Sequence, residues 1–396
     1  MDGVTWKQYG EKLEENLAEL HGRVQSGRYK AKPSKRIYIP KDDGRERPIG
    51  IATLKDKIVQ QAVSQVLGVI WEEDFANFSY GFRPGRNTHN ALDALWVAIT
   101  ERKISWVLDA DIRSFFDTLD HSWMMKFVEQ RVADPRMLCL IRKWLRAGVS
   151  EQGEWSRTNV GTPQGATISP LLANIYLHYV LDRWVKAWRK QQARGEVIIV
   201  RYADDFVMGF QYRDDAERFF KQLSERVAYF GLEIHKEKTR LIEFGRFAEQ
   251  NRQRRGEGKP ETFDFLGFTH ICAKRRSDGK FTVWRKVIAK RMRRKLKEIK
   301  KFLMRHRHDP VAETGRWLKS VVKGFFNYYA VPDNSRQMSR FRGIVNRLWI
   351  RALRRRSQKG RNLRWERMQR LIEKWIPPAR IQHPYPNQRL HVSYPR

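Results

Sequence analysis

Between residues 197 and 210 the order of apolar and polar positions is more informative than anywhere else in the chain. Residues 197–200 form a β-branched run, an Ala-Asp-Asp sequence interrupts it, and residues 206–208 resume the apolar pattern. Such a break predicts a β-hairpin with Asp204 and Asp205 at its tip. Adjacent carboxylates resist burial, so they need a cation or full exposure to water. A divalent metal site and a solvated turn both remain open as interpretations.

A second strand is predicted over residues 106–112, where apolar residues alternate with Val107, Asp109 and Asp111. Alternation places the two aspartates on one face of the strand. Spacing alone does not choose between them as metal ligands. Asp120 directly precedes the next helical pattern and is interpreted as its N-cap.

Two further stretches carry candidate binding chemistry. The sequence GRYKAKPSKRIYIPKDDGRERPIGI predicts a hairpin whose cations, among them Lys41 and Arg47, suit a triphosphate or a nucleic-acid backbone; a solvated strand face is the alternative. The Gly/Pro loop in NVGTPQGATISPLL opens into an apolar helix. Backbone amides at a helix start favour an anion or nucleotide, and a tight turn before a core helix is the alternative. Arg83 and Arg86, in another Gly/Pro loop, are also candidates for holding a phosphate.

Past Lys280 the chain becomes strongly basic, and we place a domain boundary there. Residues 286–304 predict an amphipathic helix with cations on its outer faces, whereas the polar residues 246–260 predict a flexible loop. Residues 281–396 hold 32 lysines and arginines against 6 acidic residues, which is +26 of the chain's net charge of +35. A polyanionic partner is expected.

Composition excludes several classes of protein. The hydrophobic fraction of 41% argues against a disordered polycation, and the two distant cysteines suggest neither a disulfide framework nor a cysteine zinc site. No apolar run reaches the roughly 20 residues of a membrane span, and the N-terminus lacks the apolar segment of a signal peptide. We therefore expect no membrane partner and a cytoplasmic, nucleoid-associated protein.

Four stretches in a fixed order resemble the reverse transcriptase encoded by group II introns. They are IPKDDGRERPIGI, VLDADIRSFFDTLDH, GTPQGATISPLLANIYL and RYADDFVMGF. The similarity continues through GLEIHKEKTR and FDFLGFTH into KSVVKGFFNYYA, which resembles the thumb or maturase region of that family. It covers nearly the whole chain, and it makes the metal site the preferred interpretation of the hairpin tip.

The resemblance implies an α+β fold of the right-hand polymerase type. Its fingers would occupy residues 1–104, a palm with finger elements residues 105–280, and a helical thumb or maturase domain residues 281–396. The implied function is RNA-directed DNA polymerase, which extends a DNA primer on an RNA template from deoxynucleoside triphosphates. A maturase role would add the parent intron RNA as a partner. A splicing cofactor with a silent polymerase, and a domesticated relative in phage defence or repair, are the alternatives.

The resemblance also assigns site residues. It selects Asp111 over Asp109, because in this family the metal-binding aspartate of that strand precedes an aromatic pair. The implied ligands of two Mg²⁺ ions are Asp111, Asp204 and Asp205. The nucleotide-binding residues implied are Lys41 and Arg47 for the triphosphate, Phe116 for exclusion of a 2′-hydroxyl, and Gln164 and Gly165 for the pocket. The natural candidates for RNA backbone contacts are Arg291, Arg293, Arg294, Lys295, Arg354, Arg355 and Arg356.

Three departures from the family pattern qualify these expectations. Family members usually carry several dozen further residues before the match begins, a region that helps to hold template and primer. Either the start of this chain is misassigned, the chain is trimmed, or this member has lost that element. No His/Cys cluster of an HNH endonuclease follows the thumb region, which argues against second-strand DNA cleavage. Ala166 stands where a second glycine is common, a small change that we expect to be tolerated.

Overall fold

The computed structural model describes residues 3–40, 46–151, 154–156, 160–162, 165–275 and 277–393. Packing divides the chain into two compact units. The first unit comprises residues 1–91 and 108–241, and the second comprises residues 92–107 and 242–396. Within the described ranges, no helix is both long and apolar enough to cross a membrane.

The strands of the described residues form sheets with the orders β2-β1-β4-β5, β6-β7-β3-β8 and β11-β10-β9. The strands are β1 (Ser34–Pro40), β2 (Glu46–Ile51), β3 (Trp106–Ala110), β4 (Val149–Glu151), β5 (Glu154–Ser156), β6 (Val197–Tyr202), β7 (Asp205–Phe210), β8 (Arg240–Glu243), β9 (Phe263–Phe265), β10 (Phe268–Lys274) and β11 (Phe281–Val287).

Both predicted hairpins of the first unit are present. Strands β1 and β2 pair antiparallel, with Ile39 opposite Arg47. Strands β6 and β7 pair antiparallel up to Tyr202 opposite Asp205, which leaves a two-residue tip. In β3, however, the adjacent residues Val107 and Leu108 are both fully buried. The strand is therefore covered on both faces. Polar and apolar positions alternate only at its C-terminal end, where the aspartates lie.

The helices from α1 to α10 lie in the first unit, except that most of α4 belongs to the second. They are α1 (Trp6–Gly10), α2 (Leu13–Gln25), α3 (Leu54–Glu72), α4 (Thr88–Glu101), α5 (Phe115–Thr118), α6 (His121–Glu129), α7 (Pro135–Arg146), α8 (Ser169–Leu177), α9 (Arg183–Gln191) and α10 (Arg213–Tyr229), with a π-helical turn over His178–Asp182. Asp120 caps α6 as predicted, since its carboxylate accepts a 2.8 Å hydrogen bond from the Trp123 amide.

The remaining helices lie in the second unit, which also holds most of α4, and all of them except α11 follow β11. They are α11 (Ala248–Arg254), α12 (Ala289–Arg305), α13 (Val311–Tyr329), α14 (Ser335–Arg354), α15 (Gln358–Arg361), α16 (Trp365–Trp375) and α17 (Pro386–Ser393). The predicted amphipathic helix is confirmed as α12, which buries Met292, Ile299 and Leu303 in an apolar cluster with α13, α14 and α16. The prediction of a flexible loop over residues 246–260 is wrong, because α11 forms there and buries Ala248.

The pairing of β10 with β11 bears on the predicted domain boundary. These strands pair over seven residues each, from Phe268 opposite Val287 to Lys274 opposite Phe281. Lys280 therefore lies between two paired strands, and both strands belong to the second compact unit, which comprises residues 92–107 and 242–396. The division into fingers, palm and thumb stays a prediction.

Candidate active site

The tip of the β6-β7 hairpin carries the two predicted aspartates. Ala203 begins the tip with a φ of 57°, the left-handed region that is unfavourable for residues with a Cβ. The Asp204 side chain is half-buried, and Asp205, the first residue of β7, is exposed. A tip of two residues between buried strands holds Asp204 in a defined position. The free-energy cost of the left-handed backbone at Ala203 must then be offset by other interactions.

A buried arginine compensates for that backbone. Arg201 has no exposed surface and forms a two-pronged ion pair with Asp182, at 2.8 and 2.5 Å. Its remaining nitrogen donates to the Ala203 carbonyl at 2.9 Å and to the Asn174 side chain at 3.0 Å. Arg201 thus ties the hairpin tip to α8 and to the π-helical turn. Each of these polar groups is satisfied, which is the condition for a stable buried charge.

The segment of residues 78–83 covers the outer edge of β6. The Arg201 backbone bonds to Phe78 and Tyr80 on this segment, at 2.9 and 2.8 Å. A Cβ at Gly81 would collide with the amide nitrogen of Ala203, so only glycine allows the segment to lie this close to the tip. The hairpin tip is therefore supported by the Arg201 side chain and by the contacts of this segment with β6 and Ala203.

The carboxylates of Asp111 and Asp204 are neighbours. Burial raises the pKa of Asp204, and the negative charge of Asp111 raises it further, while Arg47 and Arg201 lower it. Asp111 directly follows β3 and Asp204 directly precedes β7, and these two strands are adjacent in the sheet. Arg47, from β2, acts on the same carboxylate and so belongs to the same site.

Two cations partner the candidate aspartates of β3. Asp111 is 30% exposed and pairs with Lys238 at 2.7 Å, whereas Asp109 lies 3.9 Å from Arg240. The Lys238 side chain is half exposed and long enough to swing into solvent. The sequence did not single out Lys238 as a partner of Asp111, because the two residues are 127 positions apart.

The residues present fit a divalent metal, although the described part of the chain contains no group of three or more His, Cys, Asp or Glu side chains set out to hold one. Asp111 and Asp204 offer hard oxygen donors from two strands, and their repulsion is relieved by a cation placed between them. Asp205 is exposed one residue further along the chain.

The predicted nucleotide side of the site includes residues 160–162 and 165–168, the described parts of the Gly/Pro loop. The Thr162 amide donates to the Phe116 carbonyl at 2.8 Å, which holds the start of α5 against this loop. Gly165 has a φ of 108°, and a Cβ there would lie 3.0 Å from the Gly50 carbonyl on β2. Glycine is thus required at position 165 both by its backbone angle and by the nearness of β2. Phe116 is half-buried, with its ring edge-on to that of Phe115.

Two predicted nucleotide-binding residues, Lys41 and Gln164, lie outside the described residues. Arg47 is exposed on β2, and its charge reaches Asp204. The charges of Asp111 and Arg47 thus both act on Asp204, and a backbone hydrogen bond joins Phe116 to Thr162.

The predicted RNA contacts of the second unit occupy two places. Arg291, Arg293, Arg294 and Lys295 lie in the first two turns of α12, where Arg291 covers Gly267 and Lys295 pairs with Glu298 at 3.0 Å. Arg354, Arg355 and Arg356 lie at the C-terminal end of α14 and beyond, where a helix dipole favours positive charge. Arg354 and Arg356 donate to the Leu363 and His308 carbonyls, at 3.1 and 2.9 Å.

Arg83 does not serve as the phosphate ligand considered from the sequence. It is buried and donates to both oxygens of Glu72 at 2.6–3.1 Å, and also to the carbonyls of Ala76 and Ser79. Each of its three guanidinium nitrogens donates inside the protein, so Arg83 shapes the loop and is not positioned as a phosphate ligand.

Removing one charge from the aspartate pair should stabilise the protein when no metal is present. The raised pKa of Asp204 means that the folded state favours its protonated form, so stability falls as pH rises from about 4 through that pKa. Asp204→Asn should therefore raise the melting temperature at pH 7 in chelator, by a few degrees. Mg²⁺ should raise the melting temperature of the wild type and have a smaller effect on the variant.

Asp205→Asn is the matched control, because the same substitution at an exposed neighbour should give little stabilisation in chelator. A lower melting temperature for Asp204→Asn than for the wild type in chelator would contradict the repulsion between Asp111 and Asp204.

Comparison with known proteins agrees with this geometry. The family described as reverse transcriptase (RNA-dependent DNA polymerase) matches residues 39–270, more than half of the chain. Protein YkfC of Escherichia coli is 38% identical over 238 residues, which cover 52% of this chain and 62% of YkfC. The group II intron-encoded protein LtrA of Lactococcus lactis is 39% identical over 173 residues, which cover 43% of this chain and 28% of LtrA.

A fission yeast relative, described as an uncharacterised 91 kDa protein in a cob intron, is 30% identical over 232 residues, which cover 57% of this chain and 28% of the relative. The chain therefore spans between about a quarter and two thirds of the length of these relatives. The predicted resemblance to proteins encoded by group II introns is confirmed, as is the mixed α and β fold of a right-hand polymerase. The chain belongs to the reverse transcriptase family.

Proposed function

We propose that this chain extends a DNA primer on an RNA template, with Asp111, Asp204 and Asp205 as the ligands of two Mg²⁺ ions. The observation that carries the proposal is the pair of mutually repelling carboxylates, Asp111 directly after β3 and Asp204 on the supported hairpin tip, with the charge of Arg47 acting on Asp204. Two carboxylates that repel each other lower the stability of the folded protein when no cation is bound. Such a pair is expected where a cation is needed for function. Family membership supports the same chemistry.

When bound, Mg²⁺ would stabilise the attacking and leaving oxygens of an in-line phosphoryl transfer. The chain's own part is to hold the ligands and the substrates in place. Asp111 and Asp204 supply negative charge from the ends of two adjacent strands, and Arg201 supports the hairpin tip through its hydrogen bond to the Ala203 carbonyl. Such preorganisation removes the need to rearrange charged groups during the reaction.

The incoming deoxynucleoside triphosphate would lie between β2 and the loop of residues 160–168. Arg47, with Lys41, would pair with the triphosphate oxygens. Gly165 and Gln164 would line the pocket. The Phe116 ring would stand against the sugar, where a 2′-hydroxyl would collide with it.

A second activity, binding of intron RNA as a splicing maturase, is proposed for the basic second unit. It rests on the +26 of residues 281–396 and on the relatives encoded within introns. In this proposal residues 1–104 form the fingers, residues 105–280 the palm and residues 281–396 the thumb. A protein with these nucleic-acid partners would be found at the nucleoid.

The direct test of the polymerase is extension of a DNA primer on an RNA template with Mg²⁺. Asp204→Ala should reduce the extension rate by at least a thousandfold, because the proposed metal site loses one of its two neighbouring carboxylates. Asp109→Ala is the matched control, since it removes a carboxylate two residues from Asp111 and should keep near wild-type activity. A wild-type protein that binds RNA but extends no primer would favour a splicing cofactor with a silent polymerase.

Sugar selection tests the role of Phe116. Phe116→Ala and Phe116→Val should increase incorporation of ribonucleotides relative to deoxyribonucleotides by about tenfold or more, because a steric barrier beside C2′ is removed. Competition between the two nucleotides on one template measures the ratio. Phe115→Leu, a change in the buried neighbour, should leave the ratio unchanged. Unaltered selection in Phe116→Ala would mean that another side chain excludes the 2′-hydroxyl.

Neutralising the basic run after α14 tests the RNA-binding surface. Arg354→Gln, Arg355→Gln and Arg356→Gln together keep hydrogen-bond donors but remove three charges. Affinity for structured RNA should fall, and the slope of log K against log salt should become shallower by about 2 to 3. Extension of a short primer-template at low salt should survive.

The matched control is the triple change of Lys186, Lys190 and Lys221 to Gln, which removes equal charge from exposed positions of α9 and α10. If both triple variants bind RNA like the wild type, the run at Arg354 is a solvated helix end and the RNA surface lies elsewhere.

A further inference from the structure

Phe82 combines an exposed aromatic ring with an unfavourable backbone. Its side chain is 55% exposed. Its φ of 57° lies in the left-handed region, which is rare for a bulky residue. An exposed ring gains little from burial, so packing does not explain why phenylalanine occupies a position that glycine would adopt without strain.

The residues on either side of Phe82 fix it in place. The Gly81 carbonyl accepts a 2.7 Å hydrogen bond from the Asn174 side chain, and Asn174 also binds Arg201. Arg83, on the other side, is buried in its bonds to Glu72. The backbone at Phe82 is therefore held by the same network that braces the hairpin tip. The ring is presented to solvent from a rigid position.

The ring lies next to the hairpin tip that carries Asp204. Its centroid is 6.5 Å from that of Tyr202, with a tilt of 44° between the two rings. Tyr202 is the last residue of β6, immediately before the tip, and is half-buried. Together the two side chains form an aromatic surface beside the proposed metal site. Arg86, in the same loop, stands over the Tyr80 ring at 5.5 Å.

The order of the strands separates this surface from the proposed nucleotide pocket. Phe82 lies beside β6, the edge strand of the order β6-β7-β3-β8, while Phe116 follows β3 on the other side of the hairpin tip. The incoming nucleotide is assigned to the Phe116 side. The attacking 3′-hydroxyl of the primer must also lie beside the metal site, and the β6 side of the tip is the side that the nucleotide assignment leaves open.

We propose that Phe82, together with Tyr202, forms a stacking subsite for the terminal nucleotide of the primer. The ligand class is the base and sugar of a nucleic-acid 3′ end, of any sequence, because every base presents a π-face. This subsite rests on the proposed polymerase function. A fixed aromatic face beside Asp204 would account both for the exposed ring of Phe82 and for its strained backbone.

The test compares Phe82→Ala, Phe82→Gly and Phe82→Trp in the full chain. Binding of an RNA-template, DNA-primer duplex is measured by fluorescence anisotropy, and single-turnover extension is measured against duplex concentration. The alanine and glycine variants should bind the duplex and reach half-maximal extension at about tenfold higher concentration, which corresponds to loss of one stacking contact. The tryptophan variant should remain within about threefold of the wild type, because it keeps an aromatic face. Phe247→Ala, which removes another exposed ring, should match the wild type.

Two further readouts separate this subsite from a merely structural role. The glycine variant should melt no lower than the wild type, since glycine relieves the backbone at position 82. The KM for the nucleotide at saturating duplex should stay unchanged.

Wild-type duplex affinity in Phe82→Ala would overturn the subsite, as would a tryptophan variant as weak as alanine. A wild-type protein that binds the duplex but never extends the primer would count against the proposed function, and the binding measurement would still decide the role of Phe82.

Discussion

Arg201 carries a charge that never reaches water, and the site cannot keep its shape without it. The guanidinium is fully buried between Asp182, Asn174 and the Ala203 carbonyl. Loss of one partner of such a buried pair typically costs about 3 to 5 kcal/mol, because the other charge remains buried and unpaired. The pair therefore links the hairpin tip to the helices behind it. Ala203 keeps its left-handed backbone as a result, and Asp204 stays close to Asp111.

Metal binding and stability are opposed at this tip. Two carboxylates held together repel each other, and burial adds to the free-energy cost by raising the pKa of Asp204. Lys238 offsets part of that cost by pairing with Asp111 through a long, half-exposed side chain. A cation between the carboxylates would offset more of it. The positions of these side chains therefore favour metal binding. The isolated hairpin, without Arg201 and the segment of residues 78–83, would not hold the carboxylates in those positions.

Local patterns were enough to predict the elements that carry the site. The β-branched run before Asp204 predicted the hairpin, and the position of Asp120 predicted a helix cap. The roles of Arg201, Asn174 and Lys238 were not predictable, because each depends on partners brought together only by the fold. The helix over Ala248–Arg254 was missed because its polar composition outweighed a short apolar contact at Ala248. The choice of Asp111 over Asp109 came from family resemblance, and spacing could not supply it.

The central claim is that the buried network around Arg201 holds the site in its working geometry. A double variant, Arg201→Met with Asp182→Leu, replaces the ion pair by apolar groups of similar size, a change that often leaves stability unaltered. We predict that it still folds, with a melting temperature a few degrees below that of the wild type, and extends a primer at least tenfold more slowly, because the Ala203 carbonyl and the Asn174 side chain lose their donor. Wild-type extension rates in a folded double variant would contradict the account.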